Sequence, residues 1–247
     1  MIRFDSFSIG YKDRTLVRDA NAMIPDGCFT ALLGRNGSGK STVLSAVCGA
    51  KRDYSGTISA GGVDVKSIPQ YRLAMSVSFV STERVRIPGM TCLELVSLGR
   101  APYTGWAGRL SSKDRNIVLR ALETVGMEGF AGRTMEKMSD GECQRVMIAR
   151  ALAQDTPVML LDEPTSFLDY PNRRELCMLL AGLAHEAGKT VLFSTHELPL
   201  ALEMCDSALL IDGGEMEYMP VGDMCHSGKI EKVFGYPSGT MQRNCKF

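Results

Sequence analysis

Gly34-Arg35-Asn36-Gly37-Ser38-Gly39-Lys40-Ser41-Thr42 follows the short apolar run Phe29-Thr30-Ala31-Leu32-Leu33 and precedes a helix-like run from Thr42 to Cys48. That order, strand then glycine-rich loop then helix, is the context in which a loop cradles phosphate. Glycines let backbone N–H groups turn inward around a phosphate without Cβ clashes. The helix N-terminus adds unpaired donors and the positive end of a dipole. At this offset Lys40 would reach the β- and γ-phosphates of a nucleotide, and the Ser41 hydroxyl would ligate Mg²⁺. A merely flexible turn leaves Lys-Ser-Thr unexplained, so the segment reads as a nucleotide site.

The chain has 247 residues, 45% apolar and 23% charged, enough to bury a large core in an ordinary globular protein. Its formal net charge of zero argues against a general nucleic-acid binder. Eight cysteines are scattered without a C-x-x-C pair or a His at metal-ligand spacing, which predicts a reduced, cytosolic chain. A strand-like segment, Ile2 to Phe7, opens the sequence, so no secretory leader is expected. No apolar run approaches the roughly 20 residues that span a bilayer.

Outward from the loop, Ile2 to Phe7, Ala22 to Ile24 and Phe29 to Leu33 read as strands, with Pro25-Asp26-Gly27 as a turn. Thr57 to Ser59 and Val63 to Val65 flank Ala60-Gly61-Gly62 as a hairpin, and Val77 to Val80 is a further strand. From about Glu83 the apolar spacing turns helical, over Thr91 to Leu98, Lys113 to Val125 and Asp140 to Gln154. A capping box, Ser111-Ser112-Lys113-Asp114, opens the middle helix. After Pro157, strands (Val158 to Leu161, Val191 to Ser194, Ala208 to Ile211) alternate with helices (Asn172 to Glu186, Leu198 to Met204), which implies a parallel sheet. A helical insert thus interrupts an α/β core. The stretch beyond about Val221 is left without an assignment.

Val158-Met159-Leu160-Leu161-Asp162-Glu163 is a buried-strand pattern ending in two acids. Beside a phosphate loop, Asp162 would hold Mg²⁺ and Glu163 would take a proton from the attacking water. Acids at a strand's solvent end are common in α/β proteins; the upstream loop makes the catalytic reading the better one. His196, just past Val191-Leu192-Phe193-Ser194, stands where open α/β sheets bind ligands and can donate to a γ-phosphate. A lone strand-end histidine is usually structural, but this one has company. His185 and His226 have none and read as surface residues.

Met138-Ser139-Asp140-Gly141-Glu142, then Gln144-Arg145 and Ala149-Arg150-Ala151-Leu152, decide the family. In order with the phosphate loop, Asp162-Glu163, Ser166-Phe167-Leu168-Asp169 and His196, they make the chain resemble an ABC-type ATPase subunit over nearly its whole length. The resemblance implies an α/β fold: a P-loop NTPase (ABC ATPase) core with an antiparallel β subdomain and an inserted α-helical subdomain. A single domain would span 1–247, its core at 1–83 and 155–247 and its helical subdomain at 84–154. ATP and Mg²⁺ are the implied cofactors. Lys40, Glu163 and His196 would be catalytic. Gly34, Arg35, Asn36, Gly37, Ser38, Gly39, Lys40, Ser41 and Thr42 would hold the nucleotide, and Tyr11 of Gly10-Tyr11-Lys12 would stack on adenine. Metal contacts would come from Ser41, Asp162 and Thr82. Family members dimerise head to tail, so Ser139 and the Gly141 backbone of one copy would meet the γ-phosphate bound to the other. Asp169 would lie in the loop that couples the two sites.

Two residues depart from the family pattern. Where Leu-Ser-Gly-Gly-Gln is usual, Glu142 can still box Ser139, but Asp140 puts a carboxylate near incoming ATP. It is expected to weaken nucleotide-driven dimerisation slightly. Thr82 stands where a Gln normally ends the strand into the helical insert. Its hydroxyl reaches less far toward Mg²⁺, with Glu83 an alternative donor, so the metal role of this loop is open while its hinge role is kept.

Gly99-Arg100-Ala101-Pro102-Tyr103-Thr104-Gly105-Trp106-Ala107-Gly108-Arg109-Leu110-Ser111 resembles a segment of the ATPases of iron-siderophore, haem and cobalamin importers. There the helical insert and its entry loop receive a short helix of the membrane permease. Tyr103 and Trp106 are of the type enriched at interfaces; the plainer alternative is a loop whose aromatics pack inward. The implied function is the ATP-hydrolysing subunit of such an importer. It would act as an ATP-bound homodimer on an integral membrane permease, indirectly with a substrate-binding protein, and with no nucleic acid. Its place would be cytoplasmic, peripheral on the inner face of the cell membrane. Two alternatives stay open: an ABC ATPase for another solute or direction, and a soluble non-transport ABC ATPase such as one in iron–sulfur cluster assembly. A binding-only regulator is disfavoured because Lys40, Asp162, Glu163 and His196 are all present.

Overall fold

Two sheets and the helices around them carry the chain, whose computed structural model describes residues 1–83, 86–106, 108–166, 168–237 and 239–240. In chain order come β1 (Ile2–Tyr11), β2 (Arg14–Ile24), β3 (Phe29–Gly34), α1 (Lys40–Val47), β4 (Ser55–Ala60), β5 (Val63–Asp64), α2 (Gln70–Leu73) and β6 (Val77–Val80). An all-helical stretch follows: α3 (Cys92–Ser97), a 3-10 turn (Leu98–Tyr103), α4 (Ser112–Thr124) and α5 (Asp140–Ala153), with short 3-10 turns between the last two. Then come β7 (Val158–Asp162), α6 (Tyr170–His185), β8 (Thr190–Ser194), α7 (Leu198–Met204), β9 (Ser207–Asp212), β10 (Glu215–Pro220), α8 (Val221–His226) and α9 (Lys229–Phe234). Residue 84, where the sequence reading starts the helical subdomain, lies outside the described residues, as do Ala107 and Phe167 of the quoted motifs.

One sheet is antiparallel, in the order β2-β1-β4-β5; the other runs β10-β9-β3-β8-β7-β6 with only β10 antiparallel. The parallel strands are apolar at nearly every position because both faces are covered. On one face Leu32, Leu160, Leu192 and Leu209 pack with Val43, Leu44 and Val47 of α1 and with Ile2, Phe4 and Phe7 of the antiparallel sheet. On the other, Phe29, Ala31, Leu161, Phe193 and Leu210 pack with α5, α6 and the C-terminal helices. The period of two in β3, β7, β8 and β9 sorts these residues between two cores.

β1 runs four residues past its apolar segment, to Tyr11, because pairing with β2 supplies what local propensity does not (Gly10 opposite Thr15, Tyr11 opposite Arg14). Gly10 is tight there: a Cβ would stand 2.4 Å from the Arg14 carbonyl oxygen. α8 and α9, which the sequence reading left blank, are six residues each, too short for periodicity to be legible. Their burial of Met224, Cys225, Ile230 and Val233 against the sheet is what forms them. Among the described residues, Cys28, Cys48, Cys92, Cys143, Cys177 and Cys205 are free thiols. Among the described residues, no helix is long and apolar enough to cross a membrane.

Candidate functional site

The loop geometry follows from two glycines. Gly34 ends β3 at φ 152°, where a Cβ would stand 2.6 Å from Ser38 Oγ and 2.7 Å from the Ile211 carbonyl oxygen. Gly39 caps α1 at φ 109°, a conformation residues with side chains rarely adopt. The chain can therefore fold tightly enough to start α1 at Lys40. The Lys40 ammonium is buried and donates to the carbonyls of Gly34 (2.9 Å) and Arg35 (3.4 Å). Burial lowers its pKa below the ordinary lysine value, opposed by the carboxylates of Glu163 and then Asp162. A desolvated ammonium held only by two neutral carbonyls will exchange them for an anionic oxygen.

The acids are held by a residue that sequence reasoning missed. Ser194 lies opposite Asp162 in the β7–β8 register. Its hydroxyl donates to Asp162 Oδ1 (2.5 Å) and accepts the Glu163 N–H (2.9 Å). Asp162 is thereby fixed beside Lys40, and Glu163 leaves the strand at φ 46°, a left-handed conformation uncommon outside glycine. Such strain clusters at functional sites. The Ser166 hydroxyl, also missed, donates to Glu163 Oε2 at 3.0 Å. His196 Nδ1 lies 3.4 Å from that same oxygen, on a half-exposed ring. The signal for Ser194 was present only jointly, as a hydroxyl and two acids at the ends of adjacent parallel strands.

A cleft of about 520 Å³ opens over the loop, lined by Tyr11, Arg14, Leu16, Asn36, Gly37, Gly39, Lys40, Ser41, Thr42 and Glu163. Tyr11 reaches it because β1 is longer than predicted. Its ring is 63% exposed, with its hydroxyl 3.4 Å from Thr42 Oγ1 and the Lys51 ammonium 4.5 Å from the ring centroid. Arg14, across the β1–β2 turn, is a cationic lining residue the sequence reading did not name. Thr82 lies two residues beyond β6, at the same edge of the sheet as Asp162. The hydroxyl of Ser41 and the carboxylate of Asp162 are hard oxygen donors suited to Mg²⁺. Among the described residues no three His, Cys, Asp or Glu form a self-sufficient metal cluster, so phosphate oxygens and waters would complete such a site.

Ser139, Gly141 and Asp169 do not line this cleft. Ser139 caps α5 in the expected box: its hydroxyl accepts the Glu142 N–H, and Glu142 Oε2 accepts the Ser139 N–H at 2.7 Å. That backbone bond holds the Glu142 carboxyl below the usual range. Asp140 is paired with Arg86, whose guanidinium lies 2.6 Å away. Asp169 caps α6 by accepting the Asn172 N–H at 3.1 Å. A Cβ on Gly141 would lie 3.0 Å from Leu168, so the two segments touch within one chain.

Known proteins share this arrangement. The family model described as ABC transporter matches residues 17–166, from β2 to the serine beside Glu163. The iron(3+)-hydroxamate import ATP-binding protein of Bacillus subtilis is 40% identical over 194 residues, covering 78% of this chain and 72% of that one. A solved chain provisionally described as a metal-chelate type ABC transporter, in an inward-facing conformation, superposes with a TM-score of 0.83 at 26% identity, covering 95% of this chain and 88% of that one. A dimeric ATP-binding cassette in a post-hydrolysis state with ADP and Pi gives a TM-score of 0.77 at 28% identity, covering 90% and 99%. With the phosphate loop, the paired acids and the two-sheet fold all accounted for, the chain belongs to the ABC transporter family as an ATP-binding subunit, an ATPase coupled to transport.

Proposed function

We propose that this subunit powers import of iron-siderophore type metal chelates, with haem and cobalamin as related cargoes, from the cytoplasmic face of the membrane. The observation that carries the importer reading is Trp106, which stands fully exposed at 102% in the loop leading to α4. Tyr103 beside it is 39% exposed, with the Arg100 guanidinium 4.0 Å from its ring centroid. An aromatic this exposed fits a surface awaiting a partner, and the iron-hydroxamate relative supports the cargo class. The domain would be one unit over 1–247, with 84–154 as the helical part that meets the permease.

In this reading the ATP phosphates enter the loop, and Lys40 turns from the Gly34 and Arg35 carbonyls to the β- and γ-phosphates. Ser41 and Asp162, with Thr82 as a further candidate, would hold Mg²⁺, which would supply positive charge to the phosphate oxygens. Tyr11 receives adenine. Ser139 and Gly141 of a second copy complete the site, consistent with their position outside the cleft. Glu163 Oε2, oriented by Ser166, accepts the proton of the attacking water, and His196 donates to the γ-phosphate. The Asp169 loop reports closure from one site to the other.

A tagged Glu163→Gln protein, pulled from its native membranes with Mg-ATP in mild detergent, tests this. The substitution should lower kcat by about 10²–10⁴-fold and hold the closed homodimer. A polytopic permease with an extracytoplasmic chelate-binding protein is the expected company. A soluble partner with membrane proteins absent would move the assignment to a non-transport role, and a permease for another solute would change the cargo alone.

A further inference from the structure

We propose that Arg173 is a positioning residue that keeps His196 available to the γ-phosphate and links it to the loop ending at Asp169; this rests on the ATPase reading above. Arg173 sits in the first turns of α6, its side chain 26% exposed. Its Nε donates to the Leu168 carbonyl at 2.6 Å, and Nη1 pairs with Glu197 Oε1. That same Glu197 oxygen lies 3.6 Å from His196 Nε2, while His196 Nδ1 lies 3.4 Å from Glu163 Oε2. The imidazole therefore stands between two carboxylates, both near ion-pair distance and neither in a short hydrogen bond.

The consequence is electrostatic. Glu163 belongs to the reaction, whereas Glu197 has no partner in it and is the nearest competitor for the imidazole's second nitrogen. Arg173 occupies and neutralises that competitor. A guanidinium suits the task because its rigid fork serves a carbonyl and a carboxylate at once, which an ammonium on a flexible stem does poorly. The fork also explains the link: the carbonyl it holds is that of Leu168, whose side chain is buried against Gly141 at the start of α5. One side chain thus joins His196, the loop before Asp169 and the segment facing the other copy.

A neighbouring pair provides the control. Arg174 on α6 pairs with Glu203 on α7, bridging the same two helices without approaching His196. Loss of Arg174 therefore removes a more exposed tie between the same two helices while leaving the imidazole's surroundings intact.

The test is steady-state Mg-ATP hydrolysis by the full chain, with melting curves for every variant. Arg173→Met is expected to lower kcat about tenfold with KM for ATP within about twofold, because binding groups are untouched. Arg174→Met is expected to match wild type. The deciding result is rescue: in Arg173→Met/Glu197→Gln the competing charge is gone, and kcat should recover at least about threefold over Arg173→Met. Arg173→Gln, which keeps a donor for Leu168 but not the charge, carries the same expectation should Arg173→Met lose its melting transition. Unchanged kcat in the single variant, or a double variant no better than the single, would overturn the proposal. Wild type and Glu163→Gln run alongside. If wild type hydrolyses no ATP, or Glu163→Gln equals it, the ATPase-site reading falls and this inference with it. If those controls behave and Arg173→Met equals wild type, this inference alone falls.

Discussion

Ser194 is one hydroxyl with two tasks, and both of its partners are poorly placed to replace it. Asp162, whose carboxylate it serves, is buried, and the Glu163 N–H is that of the next residue along the chain. Ser194→Ala leaves an acceptor and a donor short of a bond, a cost of about 1–3 kcal/mol by denaturant melts. It also frees Glu163 from its left-handed conformation, so kcat should fall further than that of a comparably destabilised surface variant. Equal activity at equal stability would show that Ser194 only packs. Asp140 is the other residue to test. Its pair with Arg86 is 34% and 42% exposed, so it contributes at most about 1 kcal/mol. Asp140→Gly should strengthen ATP-dependent dimerisation severalfold in the Glu163→Gln background. Arg86→Gln should weaken it; sedimentation of both variants showing no change would remove the carboxylate's proposed influence.

At the scale of elements, α4 shows how a local signal and a distant partner combine. Ser111 caps the helix through the Asp114 N–H, and Asp114 returns bonds to the Ser111 N–H and hydroxyl. Arg100 of the preceding 3-10 turn then closes on Asp114 at 2.9 Å and also donates to the Ala153 carbonyl of α5. Ser111→Ala should cost about 1 kcal/mol. The Ser111 hydroxyl, then its N–H, then Arg100 hold the Asp114 carboxyl below the usual carboxylate range. A depressed pKa means this stabilisation is present above the unfolded value of about 3.9 and is lost as pH falls through the lower folded value. Asp114→Asn should therefore be less stable than wild type near neutrality, with the gap narrowing under acid. Urea melts at several pH values check the sign; a constant gap would place the effect elsewhere than in the charge. Gly99 belongs here too, since a Cβ would meet the Arg150 carbonyl oxygen at 2.3 Å. Its place in the importer-like block is set by helix packing on α5.

For the whole molecule, the question is what meets the helical face. The chain carries a single tryptophan, so against a permease whose tryptophans have been replaced no other indole contributes emission. When the chain is reconstituted with its permease, Trp106 emission should shift to the blue as water leaves the ring, and Trp106→Ala should weaken association by about 1 kcal/mol or more, the scale of an interface anchor. Emission unchanged on a functional complex would show that the permease docks elsewhere.

The sequence by itself determined the parts whose constraints are local. The glycine spacing of the loop, the capping boxes at Ser111 and Ser139, and the apolar strands ending at Asp162 and Ser194 are contained in short windows, because turn geometry and capping act between residues three or four apart. Lys40 stood out as a candidate within its own loop window, whereas Asp162, Glu163 and His196 became candidates only in company with that loop. Only the tertiary structure decided how they are held. Ser194 reaches Asp162 across 32 positions through strand register, Tyr11 reaches the cleft because β2 extends β1, and Arg173 meets Glu197 because α6 and α7 pack side by side. Short α8 and α9 exist only where the sheet gives them a surface to bury against. Hydrophobic burial and electrostatic pairing depend on distance in space, which a spacing rule along the chain does not carry.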